Sequence, residues 1–409
     1  MEIHAVKDSH PSRPLPAQLP RAATGAGFPT APGTVPIFAR QKWDCPLRRA
    51  FEATLLLAFC VAPFAPSPAQ ACTGITIRPK DGSIIFARTL EFAQDMQSNL
   101  IVVPRAQQYV GTAPSGKPGV RWKTKYGFVG TNAFAMPVTI DGLNEKGLSV
   151  GLFYFPGFAK YQEVKPADVG KALAPWELGA YLLGTCATVG EAVTAARGVL
   201  VGEAVQKDMG FVPPVHYIAT DPAGKSVVLE FIDGQLKTYD NPLGVMSNSP
   251  GFDWHLTNLA NYVSLSAENT SSVDLAGHEV KALGQGSGML GLPGDFTPPS
   301  RFVRAVAFSK SALPVATARE GVLEAFHILN QFDIPPGSAR ATDHGREVAD
   351  YTQWTVAADL TNRRYYFRTY TNSRIRMVDL KAVNLDAKQI KTISMQGEEQ
   401  IEDVSGGGK

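Results

Sequence analysis

One short stretch carries most of the information in this chain, and it reads Ala69-Gln70-Ala71-Cys72-Thr73-Gly74-Ile75-Thr76-Ile77. Its first part ends in the Ala-x-Ala pattern of a signal-peptidase site. Its second part alternates apolar and polar residues, which predicts a β-strand. Cleavage after Ala71 would make Cys72 the N-terminus, with a thiol and a free α-amine on one residue. Because that amine can act as the base for the thiol, the stretch predicts a nucleophile suited to amide cleavage.

The composition is that of an ordinary globular protein, with 44% hydrophobic residues, 19% charged residues and a net charge of +2 over 409 residues. A net charge so close to zero gives no reason to expect a nucleic acid as a partner. Of the four cysteines, Cys72 and Cys186 lie beyond residue 71. We therefore expect no disulfide framework, and Cys186, in an apolar stretch, is expected to be a buried small hydrophobic residue.

The first 71 residues are typical of an extension followed by an export signal. Residues 1–46 are rich in proline, so we predict a disordered segment or one that is not translated. Residues 47–71 combine Arg48 and Arg49 with an apolar run over 55–62 that is shorter than the roughly 20 residues of a bilayer span. This pattern favours a signal peptide and predicts an exported protein, periplasmic or secreted, without stable membrane insertion.

Two alternatives for this segment stay open. Arg48 and Arg49 partly match a twin-arginine export signal, although Glu52 occupies an apolar position of that pattern. Cys72 can also be interpreted as a lipoprotein cysteine, although such proteins favour Leu and a small residue where this chain has Ala69 and Gln70. An acylated Cys72 would make the protein a lipid-anchored binding protein without catalysis.

Beyond Cys72, blocks of strands separated by paired helices predict an α+β layered fold. The first hairpin covers residues 73–92 and turns at Lys80-Asp81-Gly82, and a second hairpin covers residues 135–155. Further strands are predicted over residues 100–103, 215–220, 226–232, 235–239, 351–359 and 363–370. Helices are predicted over residues 174–198, 300–313 (with Ser300 as the cap) and 318–331. We predict one domain over residues 72–398 and a flexible tail over 399–409.

Two charged residues close the second strand of the first hairpin, opposite Cys72. Antiparallel pairing would place Arg88 beside Cys72, where its charge favours the thiolate. Glu91 would be in reach of the α-amine and would orient it. The alternative for both residues is an exposed ion pair at a strand end, and the spacing alone leaves the two interpretations equal.

Two later polar residues are further candidates. Asn248 follows an apolar strand, and its amide can donate to an oxyanion, although a turn-forming asparagine is the alternative. Arg301 stands at a helix start, where a surface arginine is the alternative. Two other patterns are set aside. The Gly-x-Gly-x-x-Gly match over residues 286–291 lacks the strand and helix of a dinucleotide site, and His255 with Cys72 lacks the sequence signature of a papain-like pair.

Several motifs together resemble the choloylglycine hydrolases and penicillin V acylases. They are Cys72-Thr73-Gly74, Asp141-Gly142-Leu143-Asn144-Glu145-Lys146-Gly147-Leu148, Ser247-Asn248-Ser249-Pro250 with Phe252-Asp253-Trp254-His255, and Gly291-Leu292-Pro293-Gly294-Asp295-Phe296 with Ser300-Arg301-Phe302. The resemblance runs from Cys72 to about Ile393. It implies an N-terminal-nucleophile fold, with four αββα layers and two stacked antiparallel sheets. It also implies hydrolysis of linear amide C–N bonds without metal or cofactor.

The resemblance also implies roles for individual residues. By position, they are Cys72 as the nucleophile, Arg88 as the arginine that assists it, Asn248 as an oxyanion-hole donor, and Arg301 as an arginine lining the site. Glu91 stands where an aspartate is usual and reaches one methylene further. Tyr154 replaces the asparagine of bile salt hydrolases, as in the penicillin V acylases, and its backbone N–H can still serve an oxyanion hole.

The substrate is expected to be a small-molecule amide with a bulky apolar acyl group, held near Phe153, Tyr154 and Phe155. The candidates are conjugated bile salts and phenoxyacetyl penicillins, with acyl-homoserine lactones as an alternative on the same machinery. The segment 254–291 resembles the subunit-assembly loop of bile salt hydrolases, which implies a homotetramer. The sequence leaves the choice among these substrates open.

Overall fold

The computed structural model describes residues 71–343 and 345–405. The predicted extension over residues 1–46 and the predicted signal peptide, apart from residue 71, lie outside the described residues. The last four residues of the predicted tail, 406–409, lie outside them as well. The domain boundaries drawn from the sequence therefore stay predictions.

The described residues form twenty strands, and most of them belong to two large sheets. The strands are β1 (Cys72–Ile77), β2 (Ile85–Phe92), β3 (Asn99–Val103), β4 (Gln108–Thr112), β5 (Pro118–Lys123), β6 (Phe128–Thr131), β7 (Asp141–Asn144), β8 (Ser149–Tyr154), β9 (Ala172–Leu173), β10 (Leu200–Val201), β11 (Val215–Thr220), β12 (Ser226–Ile232), β13 (Gln235–Asp240), β14 (Val273–Leu275), β15 (His278–Val280), β16 (Ala339–Asp343), β17 (Arg346–Asp359), β18 (Arg364–Thr369), β19 (Asn372–Asp379) and β20 (Lys391–Ser394).

Five α-helices accompany the strands within the described residues. They are α1 (Leu178–Thr185), α2 (Val189–Arg197), α3 (Phe252–Asn258), α4 (Pro298–Ser311) and α5 (Ala318–Leu329). Single turns of 3₁₀ helix occur at Pro166–Lys171, Pro175–Glu177, Leu259–Tyr262, Ser287–Met289 and Asn330–Phe332. Across the described residues, no helix is long and apolar enough to cross a bilayer.

The two large sheets are antiparallel and lie between two pairs of helices. The six-stranded sheet has the order β1-β2-β17-β18-β19, with β16 on β17, and the eight-stranded sheet has the order β13-β12-β11-β8-β7-β6-β3-β20. Helices α4 and α5 pack on β1, β2 and β17, while α1 and α2 pack on β7, β8, β11 and β12. The predicted α+β fold of four αββα layers is therefore confirmed.

The strands next to Cys72 are covered on both faces. Every residue of β1 and β2 is buried, including polar ones such as Thr73 and Thr89. A strand between a helix layer and a second sheet cannot turn its polar residues to water, so each of them needs a partner inside the protein. The charged residues of β2 are thus forced into an interior network.

The prediction that residues 174–198 are helical is confirmed for most of that range, but the structure divides it into α1 and α2. Cys186 ends α1 in an extended conformation, and Thr188 caps α2 by accepting a hydrogen bond from the backbone N–H of Glu191. The buried amide of Asn144 donates to the carbonyls of Leu183 and Cys186 at 2.8 and 2.7 Å. These bonds hold the carbonyl end of α1 and stop the helix there.

Two further sequence predictions, on Cys186 and on Ser300, have different outcomes. Cys186 is buried and its thiol is free, as expected for a small hydrophobic residue. The prediction that Ser300 caps its helix is wrong. Helix α4 begins at Pro298 after Thr297, and Ser300 lies in the first turn, where its hydroxyl donates to Asp295 at 2.7 Å.

Candidate active site

Cys72 is held in place by backbone pairing on both of its sides. It opens β1, where it pairs with Leu90 of β2, and it is only 3% exposed. On the other edge of β1, Gly74 exchanges main-chain hydrogen bonds with Met246 at 2.8 and 3.0 Å. This bridge carries the following turn, with Asn248, alongside Cys72. Residues far apart in the sequence are thereby brought to one thiol.

Arg88 contacts the thiol directly. Its Nη2 donates to Cys72 Sγ at 2.9 Å, and its Nη1 donates to the carbonyl of Leu152. The guanidinium is completely buried and lies 4.0 Å from the ring centroid of Phe153. An exposed ion pair at a strand end is therefore excluded for Arg88. A buried cation in contact with sulfur favours the thiolate over the thiol.

Asn248 and Arg301 form a second group around the backbone of Cys72. The amide N–H of Cys72 donates to Asn248 Oδ1 at 2.7 Å. Arg301 Nη2 donates to the same oxygen at 2.6 Å, while its Nη1 donates to the carbonyl of Cys72 at 2.5 Å. Arg301 is completely buried, so a surface arginine is excluded. Its planar fork fixes both the nucleophile's backbone and the side chain of Asn248.

Tyr154, the last residue of β8 in the eight-stranded sheet, also bonds to Cys72. The backbone N–H of Tyr154 hydrogen-bonds Cys72 and lowers the pKa of its thiol. Asn248 Nδ2 donates to the carbonyl of Tyr154 at 2.7 Å, which uses one of its two N–H bonds. The second N–H of that amide and the N–H of Tyr154 are the donors that a negative oxygen bound next to the sulfur would need.

Burial dominates the titration of Cys72. It raises the pKa of the thiol more than Arg88, Arg301 and the N–H of Tyr154 lower it, and Glu91 also raises it. The sulfur is therefore protonated at rest, and its attack on a carbonyl requires a base. With residue 71 attached, the nitrogen of Cys72 is an amide and cannot accept the proton. Cleavage before Cys72 would convert it into an amine that can.

Glu91 lies in the interior but does not bind the nitrogen of Cys72. The single amide proton of Cys72 goes to Asn248. Glu91 Oε1 accepts from the hydroxyl of Thr352 at 3.1 Å, and Oε2 is buried without a hydrogen-bond partner among the described residues. Burial raises the pKa of Glu91 to about 7, with Arg301 as the largest opposing influence. An exposed ion pair is excluded, and the predicted role toward a free amine stays a prediction.

Cys72 is one of the residues that line an apolar cavity of about 70 Å³. The wall is almost entirely apolar, and its members include Phe92, Met96, Phe134, Met136, Trp176 and Met209. Tyr154 also borders the cavity, and its ring meets that of Phe92 edge to face at 5.9 Å. Such a cavity suits an apolar group that is attached to the atom attacked by the sulfur.

Sequence reasoning set His255 aside as a partner of Cys72, and the structure explains its position. Its Nε2 donates to the carbonyl of Asn248 at 2.8 Å, and burial lowers the pKa of the ring to about 4. A neutral histidine that binds this carbonyl supports the turn of Asn248 and does not contact the sulfur. No group of three metal-type side chains occurs within residues 71–343 and 345–405.

Asp141 is the residue that sequence reasoning missed. It belongs to a motif quoted above, yet nothing in its spacing links it to Cys72. In the structure its Oδ2 lies 4.0 Å from Arg88 Nη1, and both side chains are fully buried. The available signal was an aspartate at the start of the short strand β7.

Comparisons with known proteins agree with this geometry. Residues 72–393 match the family described as linear amide C–N hydrolases, choloylglycine hydrolase family. The chain is 34% identical to a bile salt hydrolase/transferase from Clostridium perfringens over 78% of this chain and 96% of that protein. It is 30% identical to a penicillin V acylase from Pectobacterium atrosepticum over 73% of this chain and 78% of that protein.

Solved structures give the same result. A variant of the conjugated bile acid hydrolase from Clostridium perfringens superposes with a TM-score of 0.73 at 32% identity, covering 82% of this chain and all of that chain. The penicillin V acylase from Agrobacterium tumefaciens, at 23% identity and a TM-score of 0.63 over 78% of this chain and 90% of that chain, supports the fold. The chain therefore belongs to the choloylglycine hydrolase family of linear amide C–N hydrolases, and it is a cysteine amidase of the N-terminal-nucleophile type.

Proposed function

We propose that the protein is an exported amidase in which removal of residues 1–71 makes Cys72 the catalytic N-terminus. The observation that carries this proposal is the 2.9 Å contact between Arg88 Nη2 and the sulfur of Cys72, a residue that lines an apolar cavity. A thiol that is buried, bound by a cation and open to a cavity is arranged for attack on a bound acyl group.

The proposed reaction has two steps. The α-amine of Cys72 takes the thiol proton, the sulfur bonds to the acyl carbon, and the second N–H of Asn248 with the N–H of Tyr154 binds the oxyanion. The C–N bond then breaks as the protonated amine returns its proton to the leaving nitrogen, which leaves a thioester. Water adds to the thioester and releases the acid and the free thiol. Arg88 stabilises the thiolate, Arg301 holds Asn248, and Glu91 orients the amine.

The substrate that we propose is an amide with a bulky apolar acyl group, either a conjugated bile salt or a phenoxyacetyl penicillin. The related proteins named above include both bile salt hydrolases and penicillin V acylases. The wall of the cavity supports an acyl group with few polar substituents, because it offers little to pair with them. The same wall fits the aliphatic chain of an acyl-homoserine lactone, which is the second candidate.

The test is release of free amine from glycocholate, penicillin V and an acyl-homoserine lactone, measured side by side. Cys72→Ser, with its weaker nucleophile, serves as the blank, and Cys186→Ser serves as the matched control. We expect release from at least one substrate in the wild type and in Cys186→Ser, and none in Cys72→Ser. Release from none of the three, or full activity in Cys72→Ala, would overturn the proposal.

The periplasmic or secreted location is part of the proposal and is tested by the mass of the mature N-terminus. A protein that begins at an unmodified Cys72 supports an exported enzyme. An acylated Cys72 would instead support the lipid-anchored binding protein, because acylation blocks the thiol. A chain that keeps residue 71 would contradict both.

We also propose a homotetramer formed through the segment 254–291. Its hairpin of β14 and β15 is fully exposed and carries Val273 and Leu275, with Leu283 following close behind. Exposed apolar side chains grouped on one loop are unfavourable in water and favour a second copy of the chain as partner. Light scattering should give the mass of a tetramer for the wild type and a smaller mass for Leu275→Glu. A monomeric wild type would contradict this.

A further inference from the structure

We propose that Asp141 is the positioning residue that directs Arg88 at the Cys72 thiol. Asp141 opens β7 of the eight-stranded sheet, whereas Arg88 belongs to β2 of the six-stranded sheet. Their contact therefore crosses the space between the sheets. The inference rests on the proposed role of Cys72 as nucleophile, and it concerns how that nucleophile is kept active.

Within residues 71–343 and 345–405, Asp141 is the acidic residue that lies within 4.0 Å of the Arg88 guanidinium. Its Nε donates to the carbonyl of Thr89, and Nη1 and Nη2 go to the carbonyl of Leu152 and the sulfur of Cys72. These acceptors carry no formal charge while the thiol is protonated. A completely buried guanidinium is stabilised by a countercharge, and Asp141, whose Oδ2 lies 4.0 Å from Nη1, is placed to supply that charge when it is ionised.

Each buried carboxyl group of the site interacts mainly with one of the two buried arginines. Arg88 is the main charge that opposes the raised pKa of Asp141, whereas Arg301 is the main charge that opposes the raised pKa values of Glu91 and Asp350. Burial lifts the pKa of Asp141 to about 7. Glu91 thus interacts more strongly with Arg301 than with Arg88. Asp141 is the carboxyl group that interacts mainly with Arg88.

Asp141 is itself held from the six-stranded sheet. The hydroxyl of Tyr365, in β18, donates to Asp141 Oδ1 at 2.7 Å. That bond turns Oδ2 toward Arg88. The result is a continuous series of contacts from Tyr365 through Asp141 and Arg88 to Cys72, in which each group fixes the orientation of the next.

Gly151 makes room for this series. It is the cross-strand partner of Asp141 in β8, and a methyl group at this position would lie 2.8 Å from Asp141 Oδ2 and 3.6 Å from Arg88 Nη1. Any larger residue would push the carboxylate away from the guanidinium. A glycine here is what the close approach requires.

The test compares Asp141→Asn, Tyr365→Phe and Gly151→Ala with the wild type. Asp141→Asn removes the negative charge. Tyr365→Phe removes the hydrogen bond that orients the Asp141 carboxyl group, and Gly151→Ala displaces that carboxyl group without changing its chemistry. Gly170→Ala is the control, because its methyl group would meet no other atom within 4 Å. Each variant is purified in its mature form and checked for folding by circular dichroism.

The decisive measurement is the pH dependence of Cys72 alkylation by iodoacetamide, followed by peptide mass so that Cys186 is counted separately. Positioning predicts that the midpoint moves to higher pH in all three variants, because a guanidinium that is no longer aimed at sulfur stabilises its thiolate less. We expect kcat/KM to fall about 10–100-fold with KM little changed. Gly170→Ala should keep the wild-type midpoint.

Two outcomes would overturn the inference. An unchanged midpoint in folded variants would mean that Asp141 only supports the fold. A midpoint that moves to lower pH would mean that Asp141 acts as a simple negative charge, because its removal alone would favour the thiolate. Activity that survives in Cys72→Ser would instead refute the proposed function, so the two failures are distinguishable. If Asp141→Asn does not fold, Tyr365→Phe and Gly151→Ala decide.

Discussion

Arg301 shows how much of this site depends on a single residue that holds the groups around Cys72. Its fork binds the carbonyl of Cys72, the hydroxyl of Thr73 and the side-chain oxygen of Asn248. The sequence alone predicted Cys72, because a thiol behind a cleavage site has few other uses. It could not predict Arg301 without the resemblance, because an arginine at a helix start is usually exposed. Its contacts come from strand β1 and a turn more than 50 residues away in sequence.

The prediction at this scale is that Arg301→Lys lowers kcat about 10–100-fold. An ammonium cannot serve the three acceptors of the planar fork, so Asn248 loses its fixed orientation. Arg304→Lys, in the same helix and bound to the carbonyls of Pro293 and Asp295, is the matched control. Steady-state kinetics on the preferred substrate give the comparison, and equal kcat values for the two variants would contradict the assignment.

At the scale of elements, the sequence predicted hairpins better than helix ends. The first hairpin formed where Asp81 and Gly82 indicated it. The segment 174–198 looked continuous because its apolar spacing is helical on both sides of Cys186. What breaks it is Asn144, a residue some 40 positions earlier, whose amide binds the last carbonyls of α1. The periodicity of apolar residues within a segment does not indicate a hydrogen bond from a side chain that is distant in sequence.

We expect Asn144→Asp to destabilise the fold by about 2–4 kcal/mol. Aspartate keeps the acceptor for the backbone N–H groups of Lys146 and Leu148 but cannot donate to the carbonyls of Leu183 and Cys186. Asn261→Asp, at an exposed position, is the control and should change stability little. Urea unfolding checks both variants, and an unchanged midpoint for Asn144→Asp would show that the break in the helix has another cause.

At the scale of the whole molecule, the layered fold gathers several buried carboxyl groups around two buried arginines. Glu91, Asp141 and Asp350 come from different strands, and burial raises the pKa of each to about 7. No local pattern predicts this cluster, because it depends on the stacking of two sheets whose strand order cannot be derived from the sequence of each strand. The α+β class was readable, since strands and helices alternate in blocks.

The prediction concerns Asp350, which is buried with one oxygen unpaired among the described residues. Its raised pKa means that between about pH 4 and 7 the folded state holds a proton that the unfolded state releases. The wild type therefore loses stability through this group as the pH rises through that range. Asparagine cannot ionise, so Asp350→Asn should gain stability relative to the wild type on going from pH 5 to pH 8.

Urea unfolding at the two pH values measures the difference, with the exposed Asp274→Asn as a charge-matched control. The free energy of unfolding of Asp274→Asn relative to the wild type should change much less between the two pH values. A relative loss for Asp350→Asn at pH 8 would mean that attraction to Arg301 outweighs burial.

The pairing around residue 71 constrains when the proposed cleavage before Cys72 can take place. The carbonyl of Ala71 accepts from the backbone N–H of Glu91, the N–H of Cys72 donates to Asn248, and both residues are buried. A protease that binds its substrate as an extended strand needs those same backbone groups. Cutting at this bond therefore requires that the hairpin be open. If the chain folded before export, this bond would be inaccessible to the protease. These two hydrogen bonds therefore imply that the proposed cleavage precedes folding of the hairpin.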